Sequence, residues 1–407
     1  MKRGRLSEYF DGVAVKTLST VDATPSRSNQ HEIGTTEAMR RFLGDTKNQF
    51  DVTYLWLAGE QDSVTEAGWA THYDSRENQP HRNSEWRLYY PSNPVTELMN
   101  ADDTLFLAKR PGNALLFIVT PVGSTIQSQL MWLFGFESQP ALRFAVQDYE
   151  AEGDAELDFT TRLILDEIGI EFEDPDASSL DRIIERFGTT FPTTKILSDL
   201  ARLTLPGIDA RDDPDAALVA WLTHEEALFR RLERRVVSVR LEEGFGRGAE
   251  VDLDGFLHFS LQVQNRRKSR MGRAFENHLG AVFDALDLRF EAQAVTEQGN
   301  TADFLFPGGR AYHDPAYPNE RLTFLAAKST CKDRWRQVLP EAQLVWPKHL
   351  ITLEPAISPR QTEQMRGEGV QLVVPRPIQD SYQLDQRSWL MDLNSFVDLV
   401  RGRDDSI

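Results

Sequence analysis

The chain of 407 residues contains a single cysteine, Cys331. One cysteine excludes a disulfide within the chain and a zinc site built from several cysteines. No apolar run approaches the roughly 18 residues of a membrane-spanning helix, and the opening M-K-R-G-R-L-S-E-Y-F contains no apolar signal-peptide core. We therefore expect a cytoplasmic protein without a membrane partner.

Basic residues are also scarce, with 45 Lys and Arg against 63 Asp and Glu and a formal net charge of −18. This balance argues against indiscriminate binding to polyanions. It does not exclude DNA binding, because affinity follows the local charge of the docking surface. Two segments concentrate the cations, and either could instead be a surface salt-bridge network. They contain Arg266, Arg267, Lys268, Arg270 and Arg273, and then Lys328, Lys332, Arg334 and Arg336 with one acid, Asp333.

The length suits two or three domains, and the 40% hydrophobic and 27% charged content is ordinary for a globular protein. Between about 150 and 180 the composition turns acidic, in E-A-E-G-D-A-E-L-D and E-F-E-D-P-D-A-S-S. Such a run is typical of a solvated linker, although a strap imitating the charge of DNA is an alternative. We predict a first domain over 1–172, an acidic linker over 173–185 and a second domain over 186–407.

The first 150 residues are predicted to be mixed and mostly β. Three runs rich in β-branched and aromatic residues, 51–58, 104–108 and 113–120, indicate strands. Polar loops at 24–34 and 73–87 separate such runs. Arginine and asparagine can contact guanine and adenine edges in pairs of hydrogen bonds, although a solvated hairpin loop would look the same. The candidate DNA contacts in these loops are His31, Arg76, Arg82, Asn83 and Arg87.

Residues 180–245 are predicted to be helical because apolar residues recur at three-to-four spacing. A further helix is expected after Ser269, its proposed N-cap. Its apolar stripe consists of Phe275, Leu279, Val282, Phe283 and Leu286. Glu276 lies along the same face, where a carboxylate is costly unless it has a partner.

Two short apolar runs at 303–306 and 323–328 carry polar residues at their ends, Asp303 and Lys328. If the runs are adjacent strands, these two side chains meet although 25 residues separate them. A carboxylate beside a lysine suits metal-assisted hydrolysis of a phosphodiester. A turn cap and a solvated strand end would explain the same spacing.

The motifs D-F-L-F-P, A-Y-H-D, K-S-T-C-K-D-R-W-R-Q and G-V-Q-L-V-V-P resemble the catalytic domain of the EcoRII restriction endonuclease family over roughly 220–375. That family belongs to the PD-(D/E)XK nucleases. The fragments E-Y-F, K-T-L-S, Q-H-E-I-G, Y-D-S-R and R-N-S-E-W-R are similar, more patchily, to its N-terminal effector domain. The resemblance implies a mixed α+β chain: a β-rich DNA-binding pseudobarrel, then an α/β nuclease domain with flanking helices.

The resemblance also implies the site. Most PD-(D/E)XK enzymes carry an acid two residues before the lysine, where this chain has Ala326. The EcoRII family shows the same gap, and an acid from the following helix, matched here by Glu341, replaces it. The implied catalytic residues are Asp303, Lys328 and Glu341 with Glu276 in support, and Asp303 and Glu341 would ligate Mg²⁺.

The K-D-R at 332–334 is predicted to read bases, since Lys332 and Arg334 can donate to guanine and Asp333 can accept from cytosine. Arg266, Arg267 and Arg270 are further candidate DNA contacts. The resemblance implies CCWGG as the target, and a twofold site calls for a homodimer, with two DNA sites bound per dimer. The alternatives are a nuclease with another specificity or a modified target, and a DNA-binding regulator with a decayed nuclease core.

Overall fold

The structure, a computed structural model, describes residues 5–23, 31–58, 63–79, 81–137, 140–149, 157–172, 177–247 and 250–404. The chain divides into two compact units. Unit 1 is Met1–Phe172 with Ala356–Ser358, and unit 2 is Glu173–Pro355 with Pro359–Ile407. None of the helices within the described ranges combines the length and apolar character needed to cross a membrane.

Unit 1 is built on one eight-stranded sheet with the order β2-β5-β4-β3-β7-β6-β1-β8, in which only the β3–β7 pair is parallel. The strands are β1 (Gly12–Thr17), β2 (Glu32–Gly34), β3 (Asn48–Trp56), β4 (Val64–Asp74), β5 (Trp86–Tyr89), β6 (Thr104–Lys109), β7 (Ala114–Thr120) and β8 (Ala145–Asp148). The helices are α1 (Thr20–Ala23), α2 (Arg40–Leu43), α3 (Thr125–Leu133) and α4 (Phe159–Glu167).

The three strands predicted in the first 150 residues are confirmed as β3, β6 and β7. The side chains of a strand alternate between the two faces of a sheet, and both faces of this sheet are buried. In β6, Phe106 and Ala108 belong to one buried cluster while Leu105 and Leu107 belong to another. Between the described strands β2 and β8, at the two ends of the sheet order, no pairing closes the sheet. The pseudobarrel therefore stays a prediction.

Unit 2 contains a mixed five-stranded sheet with the order β11-β12-β13-β14-β15, antiparallel up to β13 and parallel beyond it. The strands of this unit are β9 (Gly246–Arg247), β10 (Glu250–Val251), β11 (Glu291–Val295), β12 (Thr301–Phe306), β13 (Thr323–Lys328), β14 (Lys348–Thr352) and β15 (Val370–Val373). The helices are α5 (Ala177–Ile184), α6 (Thr194–Leu203), α7 (Pro214–Glu243), α8 (Leu253–Ala285), α9 (Gly309–Tyr312), α10 (Pro359–Gly367), α11 (Arg376–Gln379), α12 (Leu384–Arg387) and α13 (Leu393–Asp404).

A helical layer formed by α5, α6 and α7 precedes this sheet in the chain, which confirms the predicted helical region. The predicted linker, 173–185, overlaps this layer. Leu180 and Ile184 of α5 are buried in one cluster with residues of α6 and α7, so 177–184 belongs to unit 2 rather than to a solvated connection. The segment is also held by ion pairs of Asp181 with Arg231 and Arg235 of α7.

Helix α8 corrects one prediction and confirms another. It begins 17 residues earlier than the sequence suggested, with Asp252 rather than Ser269 as its N-cap, so Ser269 lies within the helix. The predicted apolar stripe is buried, and its Phe283 ring contacts Phe304 and Phe306 of β12. This packing places the face that carries Glu276 against the sheet.

His349 on β14 makes the stability of unit 2 depend on pH. The residue is 1% exposed, and burial, reinforced by the nearby charge of Arg403, lowers its pKa from 6.5 to about 4. Because the folded pKa lies below the unfolded one, the unfolded chain binds a proton that the folded chain excludes. The free energy of unfolding should therefore fall by up to about 1.4 kcal/mol per pH unit as the pH drops from 6.5 to 4.

Urea unfolding of the wild type and of His349→Leu at several pH values measures this contribution. Other buried histidines, such as His72, titrate alike in both proteins. The variant should therefore show a shallower loss of stability in acid for the transition of unit 2. Equal slopes in the two proteins would contradict the assignment.

Candidate active site

Asp303 and Lys328 meet as the strand prediction required. β12 and β13 are antiparallel neighbours, so the start of one lies beside the end of the other. The Lys328 Nζ donates to Asp303 Oδ2 at 2.7 Å, and the backbone N–H of Ala327 donates to the same oxygen at 2.9 Å. Asp303 is 8% exposed, and these charge-assisted bonds offset the cost of burying its carboxylate.

Glu276 of α8 joins this pair through Gln293 of β11. The Gln293 side-chain amide donates to Glu276 Oε2 at 3.3 Å and to Asp303 Oδ1 at 3.4 Å. Burial raises the pKa of Glu276, and the neighbouring charge of Asp303 raises it further while that of Lys328 lowers it. The carboxylates of Glu276 and Asp303 therefore lie close together, and the catalytic role that the resemblance implies for Glu276 stays a prediction.

Gln293 was not among the predicted site residues. It lies between the paired residues Ala292 and Ala294 of β11, and its backbone φ of 54° is in the left-handed region that a residue other than glycine rarely adopts. Such conformations cluster at functional sites because the surrounding structure must hold them. A lone glutamine in a short strand carries no sequence signal for this role.

Glu341 completes the group, although not from a helix. The segment after β13 forms a 3₁₀ helix, Lys332–Val338, and Glu341 lies in the bend that follows it. Burial raises the pKa of Glu341 to about 7; Lys328 and Lys348 act in the opposite direction, and Asp303 adds to the rise. Its Oε2 is buried without a hydrogen-bond partner among the described residues.

These carboxylates fit a hard divalent cation. The unpartnered oxygen of Glu341 and the carboxylate of Asp303 are the ligand type that Mg²⁺ prefers. Across the part of the chain that is described, no three His, Cys, Asp or Glu side chains form a ready-made metal cluster. Mg²⁺ needs no such cluster, since one or two carboxylates hold it together with waters and substrate phosphates.

The first basic segment is mostly engaged in packing the helical layer. The guanidinium of Arg266 lies 4.1 Å from the centre of the Phe191 ring, and Arg267 donates to Glu233 at 2.7 Å. Arg270 is 5% exposed and pairs with Glu225 and Glu226. The prediction of Arg270 as a DNA contact is therefore wrong, because a buried arginine that balances two acids cannot reach a phosphate.

In the second basic segment, Arg334 is the residue of the K-D-R triplet whose side chain the structure describes. Arg334 is exposed on the 3₁₀ helix that follows β13. The side chains of Lys332 and Asp333 lie outside the described set, and their roles stay predictions.

The candidate DNA contacts of unit 1 gather around one end of its sheet. Arg87 of β5 donates to Glu32 at 2.8 Å and to Glu85 at 2.7 Å. Arg76 pairs with the same Glu85 and donates to the carbonyl of Asn83 at 3.2 Å. Both arginines are paired with acids of the same unit. Their contacts with DNA therefore stay a prediction.

His31 and Arg82 border this group in different ways. The carbonyl of His31 accepts from the backbone N–H of Tyr90, directly after β5, and its ring lies 5.9 Å from the Tyr90 ring. Arg82 and Asn83 are exposed in the turn between β4 and β5, where Arg82 donates to Gln79 at 3.2 Å. The segment is a loop between two antiparallel neighbours, and its contacts with DNA stay a prediction.

Two solved structures are similar to this chain at a low level. Metal-depleted Ecl18kI in complex with uncleaved, modified DNA has a TM-score of 0.42 and 17% identity, covering 58% of this chain and 88% of that one. The restriction endonuclease PspGI–substrate DNA complex has a TM-score of 0.39 and 18% identity, covering 55% and 93%. Both scores are below 0.5, so neither likeness carries an argument about this chain.

The sequence match covers most of unit 2. Residues 229–397 match the family described as EcoRII C terminal. The type II restriction enzyme EcoRII of Escherichia coli is 41% identical over 191 residues, which is 47% of this chain and 46% of that enzyme. The chain thus matches about half the length of this relative, and the matched family region contains all four predicted catalytic residues. Residues 229–397 are therefore the part of this chain that is similar to the EcoRII C-terminal family.

Proposed function

We propose that this protein is a type II restriction endonuclease that cleaves double-stranded DNA with Mg²⁺. The observation that carries the proposal is the group formed by Asp303, Lys328 and Glu341 within the region of family similarity. A carboxylate–lysine pair beside a second carboxylate, one oxygen of which is buried without a partner among the described residues, suits phosphodiester hydrolysis.

Each residue has a role that its contacts support. Asp303 and Glu341 would hold the cation, and Lys328 would orient the attacking water and stabilise charge on the phosphate oxygens. Bound Mg²⁺ supplies Lewis acidity toward the phosphate and lowers the pKa of a coordinated water. Glu276 shares the Gln293 amide with Asp303 and supports its orientation. Three acids around one lysine form a site whose negative charge favours a divalent cation.

The proposed target is CCWGG. Its support is the K-D-R triplet, whose side chains match the hydrogen-bonding groups of consecutive C·G pairs, and the similarity to the EcoRII family. A pseudopalindromic target read by one chain per half-site calls for a homodimer. With two sites bound per dimer, the protein would place unit 1 on one DNA and the catalytic groups on another.

We also propose that unit 1 binds DNA and restrains cleavage. The support is the likeness of its sequence fragments to the family's effector domain, together with an arginine-rich and asparagine-containing turn at one end of the sheet. Since unit 1 lies outside the family match over 229–397, a target other than CCWGG or a modified base is the alternative within the same class. A decayed nuclease core is disfavoured because a decayed site has no reason to keep Asp303, Lys328 and Glu341 together.

Replacing Asp303 with asparagine should abolish cleavage while leaving DNA binding intact. The variant keeps the shape of the side chain but loses the charge that pairs with Lys328 and that a cation requires. We expect a loss of at least about a thousandfold, near the several kcal/mol that a metal ion contributes to such a reaction. A plasmid cleavage assay and a gel-shift assay without cation measure the two properties.

The exposed Glu320, on the loop between β12 and β13, offers a matched control. Glu320→Gln removes one acid of the same unit and should cleave like the wild type. If Asp303→Asn still cuts DNA, the proposed active site is wrong.

Removal of unit 1 should increase cleavage by the remaining protein. The variant should begin at residue 173 rather than 180, because Leu180 and Ile184 are part of the core of unit 2. We expect faster cutting of a plasmid with a single site, since the truncated form would not need a second DNA to relieve restraint. Cleavage rates equal to those of the whole chain would remove the autoinhibition proposal and leave the catalytic one standing.

A further inference from the structure

Among the described residues, no side-chain hydrogen bond holds the carboxylate of Glu341 in place. Its Oε2 is buried without a partner among the described residues, and no side-chain bond to its other oxygen is described. A free carboxylate on a flexible chain would sample several rotamers. The position of Glu341 beside Asp303 and Lys328 is therefore set by the backbone that carries it.

That backbone is an irregular bend and needs support. Glu341 and Ala342 follow the 3₁₀ helix Lys332–Val338 and precede β14. Ala342 has a φ of 46°, in the left-handed region that disfavours a residue with a side chain. Such a conformation persists only where surrounding contacts hold it.

Lys348 supplies the central contact. This lysine opens β14 and is 3% exposed, so its ammonium group is removed from water. Its Nζ donates to the carbonyl oxygen of Glu341 and, at 2.5 Å, to that of Ala342. The buried ammonium of Lys348 thus donates hydrogen bonds to the peptide carbonyls of Glu341 and of the next residue. The position of Lys348 is in turn fixed by β14.

A second set of contacts holds the other side of the bend. Glu297 accepts from the backbone N–H of Gln343 at 3.2 Å and from the hydroxyl of Tyr312. The same hydroxyl accepts from the backbone N–H of Leu344 at 3.3 Å. These bonds fix the bend after Glu341, whereas Lys348 acts at Glu341 itself.

We propose that Lys348 is a positioning residue for the divalent-cation site, acting through the backbone of Glu341. The proposal rests on the proposed function of that site. The Lys348 Nζ donates to two backbone carbonyls, and its role is to keep the Glu341 carboxylate beside Asp303. Supporting residues of this kind typically contribute ten- to hundredfold in metal affinity or activity.

A purely structural role for Lys348 predicts different behaviour. Removing a buried lysine would then lower stability while leaving the cation dependence of the folded protein unchanged. A positioning role predicts weaker cation binding and a higher half-saturating Mg²⁺ concentration, with the KM for DNA unchanged. The two roles are therefore separated by cation affinity rather than by stability.

The test compares Lys348→Met and Lys348→Arg with Lys109→Met in the full-length protein. Lys109 is a matched control because it is also buried and donates to two backbone carbonyls, those of Arg110 and Gly112, but in unit 1. Calorimetry with Ca²⁺, which takes the same oxygen ligands, measures cation binding to the protein–DNA complex without relying on cleavage. Cleavage at a series of Mg²⁺ concentrations gives the half-saturating value.

We expect Lys348→Met to bind Ca²⁺ about tenfold more weakly or worse, Lys348→Arg to recover part of the loss, and Lys109→Met to match the wild type. Glu341→Gln should weaken binding as well. Adding Lys348→Met to it should cause little further loss, because both changes act on one ligand.

A folded Lys348→Met protein with the Ca²⁺ affinity and Mg²⁺ dependence of the wild type would overturn the proposal. If Lys348→Met does not fold, Lys348→Gln, whose side-chain amide is shorter and uncharged, takes its place, and an unchanged Ca²⁺ affinity in that folded variant would equally count against the proposal. Failure of the proposed function has a different signature: the wild type would then leave DNA uncut at every Mg²⁺ concentration, whatever Ca²⁺ binding shows.

Discussion

The ion pair between Asp303 and Lys328 is the interaction on which the arrangement of unit 2 depends. A carboxylate that is 8% exposed is stable only with a partner, and the lysine at the end of the adjacent strand provides it. The pairing requires β12 and β13 to be antiparallel neighbours in one register. Helix α8 then covers the sheet through Phe283 and brings Glu276 to the same place.

The same site contains more carboxylates than ammonium groups paired with them. Glu276, Asp303 and Glu341 surround one lysine, and burial raises the pKa of both glutamates. A protein organised for stability alone would pair each acid or replace it with an apolar residue. Here a buried oxygen of Glu341 is left without a described partner, at the cost of its desolvation. A divalent cation with its waters and a phosphate would satisfy that oxygen, which joins the stability of the site to its proposed chemistry.

Much of this unit could be predicted from sequence because its signals are local. Short apolar runs with polar ends predicted that Asp303 and Lys328 lie at the ends of adjacent strands. Apolar residues at helical spacing predicted the buried face of α8. Other features depend on tertiary contacts. Arg270 lies in a basic run that suggests DNA, yet it is buried against Glu225 of another helix. The local sequence does not reveal that Gln293 donates to two carboxylates. Nor does it reveal that Lys348 donates to the backbone of the bend at Glu341.

Digestion of unmethylated plasmid DNA by the purified protein with and without Mg²⁺, followed by sequencing of the cut ends, tests the central claim most directly. The account predicts Mg²⁺-dependent cuts at CCWGG. Uncut DNA at every Mg²⁺ concentration, or cuts that persist without a divalent cation, would contradict the assignment of Asp303, Lys328 and Glu341 as a cation-dependent nuclease site.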